Sequence, residues 1–232
     1  MPTVDPSSVC AVVLAGGMGS RMGGVDKGLQ LLAGQPLALH CVQRLRAQST
    51  GAPGLIAINA NRNPDRYASW ELPVWGDAIE GFAGPLAGFQ TALEHCAPET
   101  NSNNLAKGGY RYLLTVACDT PRFPLDLLER LARSLHDADA DIAMASALET
   151  STNGTQLLRT QPVFCLMRTT LRDSLHSFLA NGGRKVDAWT AQHRTVTVAF
   201  DQAHDDALAF FNANTLAELE RLETSAPAPD KP

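Results

Sequence analysis

Val9-Cys10-Ala11-Val12-Val13-Leu14-Ala15-Gly16-Gly17-Met18-Gly19-Ser20-Arg21-Met22-Gly23-Gly24-Val25-Asp26-Lys27 is the stretch on which the reading of the fold turns. Its first six residues are all apolar, as expected of a strand buried on both faces. It then breaks into a loop with five glycines between Gly16 and Gly24, bordered by Arg21 and Lys27. Glycine admits positive φ and lets the backbone come close to a ligand. A curled backbone of this kind aims several N–H groups at phosphate oxygens. Arg21 adds a planar fork and Lys27 a point charge. A flexible surface loop with incidental cations is the bland alternative, but this glycine density directly after a buried strand favours a phosphate cradle.

Two familiar phosphate loops fail on the letters. A Walker A loop needs glycine immediately before its lysine, and here Asp26 precedes Lys27. A dinucleotide fingerprint needs G-x-G-x-x-G opening a helix. Gly17 and Gly19 fit, but the third glycine position holds Met22, and the next helical pattern begins only near Pro36. The second strand also ends in Asn59 rather than in an acid that would hold a ribose. These departures argue against a nicotinamide or flavin binder.

Further along, apolar runs alternate with helical patterns. Strands are expected over residues 55–58, 73–75, 112–117, 141–147 and 163–166, with an outer one over 195–200. Helices are expected over 36–49, 85–96, 124–137, 169–180 and 215–222. The third of these helices repeats leucines every three or four residues, at Leu125, Leu127, Leu128, Leu131 and Leu135. Thr215 is placed to cap the last helix. Segments 99–109 and 149–159 read as polar surface loops. This alternation specifies an α/β fold with a mostly parallel sheet and helices on both faces, hence three layers. One domain over residues 9–223 is expected, between a loose start at 1–8 and a disordered Pro/Ala-rich tail at 224–232. Ligands bind beyond the carboxyl ends of such strands, where Gly16, Asn59, Asp77 and Asp119 all fall.

The chain has 232 residues, 44% of them hydrophobic, enough for one sizeable core. A net charge of −5 gives no basic face for nucleic acid. The five cysteines, Cys10, Cys41, Cys96, Cys118 and Cys165, are odd in number and form no C-x-x-C, so buried free thiols are expected. The six histidines show no metal-ligand spacing. No secretion signal or membrane span is evident, and a soluble cytoplasmic protein is expected.

The order Leu14-Ala15-Gly16-Gly17, Ser20-Arg21-Met22-Gly23-Gly24, Asp26-Lys27 resembles the signature of nucleotidyltransferases with a Rossmann-like core. Asn59-Ala60-Asn61-Arg62, Gly84-Pro85-Leu86-Ala87-Gly88, Cys118-Asp119-Thr120-Pro121 and Asn212-Ala213-Asn214-Thr215 follow in the order found in the molybdenum cofactor guanylyltransferases. The resemblance implies a three-layer Rossmann-like nucleotidyltransferase fold. It also implies transfer of GMP from Mg-GTP to the terminal phosphate of molybdopterin, with release of pyrophosphate. By the same resemblance, Leu14, Ala15, Gly16 and Gly17 meet GTP through their backbone, Arg21 and Lys27 meet the phosphates, and Asn59 and Asp77 meet the guanosine. Asp119 would bind Mg²⁺, while Arg184, Asn212 and Asn214 would lie on the acceptor side. Catalysis would fall to Arg21, Lys27 and Asp119. Expected partners are GTP, molybdopterin, molybdenum insertion proteins and molybdoenzyme chaperones, with the chain itself a monomer.

The acceptor phosphate is already an anion, so no general base is needed. Positioning and charge stabilisation by cations suffice. Each residue also has an ordinary structural role available. Asp119 in Asp-Thr-Pro makes a good turn, Asn59 could merely end its strand, and Asn212 and Asn214 could cap the last helix. Cys118 is read as a small buried residue rather than a nucleophile, having no partner base. The rivals are a cytidylyltransferase of the same fold, acting on molybdopterin or on a sugar or polyol phosphate, and a nonenzymatic cofactor carrier. Relatives of the first often carry Leu-Ala-Ala-Gly in place of Leu14-Ala15-Gly16-Gly17.

Overall fold

The computed structural model describes residues 4–15, 25–77, 84–96, 109–151 and 154–225. Gly16, Gly17 and Arg21 lie outside the described residues, as do residues 99–108 of the first polar segment and the tail from residue 226.

Strand β1 (Val9–Leu14) is the centre of the molecule. Alternate side chains go to opposite faces, and both faces are covered. Val9, Ala11 and Val13 join one core, while Cys10 and Val12 join the other. The first core is closed by α1 (Leu37–Arg46), α2 (Pro64–Ala68) and α4 (Leu127–Asp137). The second is closed by α3 (Pro85–Cys96), α5 (Arg172–Ala180) and α6 (Val186–Thr190). A strand with a helix layer on each side must be apolar throughout, which is why this one reads as a continuous run. In α4 the leucine spacing does what it implies at Leu127, Leu128, Leu131 and Leu135, which are buried, whereas Leu125 precedes the helix and is exposed.

The remaining strands are β2 (Leu31–Leu32), β3 (Gln35–Pro36), β4 (Leu55–Asn59), β5 (Val74–Trp75), β6 (Tyr112–Ala117), β7 (Ile142–Thr150), β8 (Gln156–Arg168) and β9 (Thr195–Phe200). Among the described residues the main sheet has the order β5-β4-β1-β6-β8-β7-β9, and β2 and β3 form a separate hairpin. All pairings in the main sheet are parallel except those of β8 with β6 and β7. The chain runs outward from β1 to β4 and β5, then returns to β6 on the other side of β1. The order therefore reverses at β1, and the crevice beyond the ends of β1 and β6 is the switch point where ligands bind in such sheets. The final helix α7 (Leu216–Thr224) packs Leu219 and Leu222 with Leu32 and Leu37 in a small third core. Thr215 caps it as expected, accepting the Glu218 N–H.

Three features depart from the sequence reading. Segment 149–159 is not simply a loop. β7 continues to Thr150 and β8 begins at Gln156, so the two pair as a ribbon beyond the rest of the sheet. A ribbon wet on both faces carries no hydrophobic alternation, and Leu148, Leu157 and Leu158 remain exposed. Helices α2 and α6 are single five-residue turns, too short to show periodicity. Cys10 and Cys96 are paired as a disulfide rather than free, since β1 and the end of α3 bring their Cα atoms to 6.3 Å. A partner 86 residues away leaves no mark in cysteine spacing. Cys41, Cys118 and Cys165 are free and buried, as read. Among the described residues no helix is long and apolar enough to cross a membrane.

Candidate active site

The edge beyond β1, β4, β5 and β6 gathers three polar clusters. The first joins residues from three distant parts of the chain. Lys27 opens a 3-10 turn over residues 27–29 and extends Nζ to Asp119 Oδ2 at 3.2 Å and to Asn214 Oδ1 at 2.5 Å. Asp119 stands two residues past the end of β6. Its carbonyl accepts the Ala213 N–H at 2.8 Å, which brings the 212–214 segment to the strand end. Thr120 Oγ1 donates to Asn212 Oδ1 at 2.5 Å and fixes that segment a second time. The Lys27 and Asp119 side chains are 18% and 19% exposed, partly shielded from water yet open to a ligand. Among the described residues, Asp119 Oδ1 has only a 3.5 Å contact with Thr120 Oγ1.

The second cluster surrounds Asp77. Asn59, at the end of β4 and buried, donates from Nδ2 to Asp77 Oδ1 at 2.9 Å and to the Trp75 carbonyl at 3.1 Å. Asn61 donates to Asp77 Oδ2 at 2.6 Å and accepts the Asp77 N–H at 2.6 Å. A carboxylate has about four lone-pair sites, so two remain on Asp77 after both amides have bound. Gly88 of α3 leaves room for this arrangement. A Cβ there would lie 2.5 Å from Asn59 Oδ1 and 2.8 Å from Leu14 Cδ2. Gly88→Ala is therefore expected to destabilise the fold by about 1–3 kcal/mol, as overpacking does, and denaturant unfolding measures the effect.

The third cluster is centred on Asp26, which is buried together with Tyr67, while Asn63 is exposed. Tyr67 of α2 donates its hydroxyl to Asp26 Oδ1 at 2.5 Å, and Asn63 donates Nδ2 to Asp26 Oδ2 at 3.0 Å. Asp26 directly precedes Lys27.

The sequence-assigned residues thus separate clearly. Lys27, Asp119 and Asn214 meet directly, Asn212 lies beside them through Thr120, and Asn59 and Asp77 form their own pair. The helix-cap alternative for Asn212 and Asn214 does not hold, since Thr215 caps α7, and the Asn214 amide oxygen meets the lysine. The Leu14 carbonyl accepts the Cys118 N–H and the Ala15 N–H donates to the Asn59 carbonyl, so both serve to join the strand ends. Arg184 follows α5 on an exposed turn, donating to the Leu179 and Gly183 carbonyls. Asn61, Asn63 and Tyr67 were not assigned as site residues. The run Asn59-Ala60-Asn61-Arg62-Asn63 carried a signal for the amides. Nothing in the sequence marked Tyr67.

Cys118 is buried, and burial together with the adjacent Asp119 carboxylate pushes its thiol well above the ordinary range. A buried thiol held in its protonated form is a weak nucleophile. Among the described residues, one histidine shares a possible metal-binding group, His204 with Asp126 and Asp205. Both of those carboxylates are already paired with Arg130, at 3.5 Å and 2.7 Å. A groove of about 650 Å³ between α1, α7 and the 121–125 segment contains none of the three clusters. The polar chemistry is at the strand ends. A cation, a carboxylate and amide oxygens stand there without a hydroxyl–imidazole pair, a set suited to binding and orienting phosphates rather than to covalent catalysis.

The sequence matches the MobA-like NTP transferase domain over residues 11–198. It is 54% identical to a molybdenum cofactor guanylyltransferase of Albidiferax ferrireducens over 96% of this chain and 99% of the relative. It is also 54% identical to one of Acidovorax ebreus, over 95% and 97%. The fold is similar to that of the molybdopterin-guanine dinucleotide biosynthesis protein A of Archaeoglobus fulgidus, with a TM-score of 0.67 and 20% identity, covering 93% of this chain and 97% of that one.

Proposed function

The chain belongs to the MobA-like NTP transferase family, among the molybdenum cofactor guanylyltransferases, and from that premise we propose how its strand-end residues carry out the transfer. The reaction joins GMP from GTP to the phosphate of molybdopterin. An acceptor phosphate oxygen bonds to the α-phosphorus, and the bond from that phosphorus to the bridging oxygen breaks, releasing pyrophosphate. The cytidylyl alternative is disfavoured by the guanylyl names of relatives at this level of identity.

The observation that carries the residue assignment is the Lys27 ammonium suspended between Asp119 and Asn214. Lys27 binds the triphosphate of GTP and offsets the charge that gathers on the leaving pyrophosphate. Asp119 and the neighbouring amide oxygen of Asn214 offer hard oxygen donors, the chemistry that suits Mg²⁺, and among the described residues Asp119 Oδ1 has no partner closer than Thr120 Oγ1 at 3.5 Å. When bound, the metal ion draws phosphate charge and aligns the α-phosphate for displacement. Asp77, steadied by Asn59 and Asn61, presents an acceptor to the guanosine N–H and O–H donors. In this reading Leu14 and Ala15, whose backbones join the ends of β1, β4 and β6, meet GTP, Gly16, Gly17 and Arg21 act on its phosphates, and Asn212 and Arg184 serve the acceptor.

Equilibrium titration with GTP, CTP, ATP and UTP in Mg²⁺ tests the assignment. GTP is expected to bind at least about tenfold more tightly than the others, a difference of roughly 1.4 kcal/mol. That preference should be lost in Asp77→Ala. Equal affinities in the unaltered protein, or an undiminished preference in the variant, would contradict it.

A further inference from the structure

One short stretch of chain grips both ends of the candidate site. Asn59 and Asn61 hold Asp77, and Asn63 and Tyr67 hold Asp26, the residue before Lys27. Asp26 is 9% exposed and Tyr67 is fully buried. The backbone of Asp26 is tied as well, its carbonyl accepting the Leu29 N–H at 3.2 Å and Gln30 Nε2 at 3.4 Å. Asn63 reaches the carboxylate from a left-handed conformation at φ 49°, which asparagine tolerates better than most residues. Gly28, next after Lys27, is required by the same contact, because a Cβ there would collide with the Tyr67 hydroxyl.

We infer that Asp26, Asn63 and Tyr67 are positioning residues for Lys27. Their clamp fixes the backbone from which the lysine reaches Asp119 and Asn214, and the 59–67 segment sets its distance from Asp77. A carboxylate taken out of water among neutral donors contributes less to stability than apolar packing would. What it supplies is direction, since two donors on two oxygens fix the carboxylate plane and with it the backbone of the next residue. Burial and the bond to Asp26 push the Tyr67 phenol far above its ordinary range, so its hydroxyl remains a donor at neutral pH.

The inference rests on the assignment of Lys27 to the phosphates. Its test is a double-mutant cycle read on GTP affinity. Tyr67→Phe and, independently, Gly28→Ala are made in the unaltered protein and in Lys27→Met, and GTP binding is measured by calorimetry. Either clamp change alone is expected to weaken GTP binding about tenfold and to add almost nothing in the Lys27→Met background. The KM for the molybdopterin acceptor should stay unchanged. Unaltered affinity in both clamp variants would overturn the inference. So would an equal loss in both backgrounds, which is the mark of a general structural effect. Should Tyr67→Phe fail to fold, Gly28→Ala decides by the same comparison. Absence of pyrophosphate release by the unaltered protein would count against the guanylyl reading alone, because the cycle is read on binding.

Discussion

Asp119→Ala is expected to lower guanylyl transfer about a thousandfold while the protein stays folded. Asp119 is the carboxylate at the end of β6 and the partner of Lys27 in the ion pair at the site. Removing it takes away both the proposed metal-binding oxygen and the group that holds the lysine in place. Its structural contribution is small by comparison. The backbone carbonyl that accepts the Ala213 N–H survives the substitution. The lost ion pair is one-fifth exposed, and such pairs contribute on the order of 1 kcal/mol. For a chain of this size that moves the unfolding midpoint by only about 2–4 °C. Steady-state pyrophosphate release and a thermal melt on the same preparation separate the two effects. Asp119→Asn keeps the shape and removes the charge, so it should lose nearly as much activity. Full activity in either variant would refute the assignment of Asp119.

Lys27→Ala should reduce turnover by about a hundredfold to a thousandfold, with much of the loss appearing as a raised KM for GTP. The lysine sits between a carboxylate and an amide oxygen, closer to the amide, and a triphosphate would supply the stronger partner. Lys27→Arg is expected to recover only part of the loss, because a planar fork cannot occupy the position of a compact ammonium. Lys27 and Asp119 touch at 3.2 Å, so the double variant should be far less impaired than the product of the two single losses. Kinetics on the three proteins check this, and strictly multiplicative losses would show that the two residues act independently.

Legibility in the sequence followed burial. β1 and β6 could be read because both faces of each are covered, and α4 because one face is. Where burial gives no periodic signal, the reading failed. The β7–β8 ribbon is wet on both sides and looks like a loop, and α2 and α6 are shorter than one amphipathic repeat. The Cys10–Cys96 pairing depends on how a strand and a helix face each other across the second core, which cysteine counting cannot register.

The same distinction applies to the site. Lys27, Asn59, Asp77 and Asp119 were legible because each follows an apolar run or sits in a recognisable loop. The contact of Lys27 with Asn214, 187 residues away, was not. It depends on the Ala213 N–H meeting the Asp119 carbonyl, a consequence of where α7 packs. Tyr67 was hidden for a similar reason, since a tyrosine on a one-turn helix looks like any core aromatic until its hydroxyl is seen on Asp26.

The most direct test is a turnover panel. Purified protein, Mg²⁺ and molybdopterin are incubated separately with GTP, CTP, ATP and UTP, and pyrophosphate release is followed together with formation of the dinucleotide product. Release with GTP alone, dependent on molybdopterin, is the expected result. Release with CTP in preference to GTP, or none with any nucleotide, would contradict guanylyl transfer.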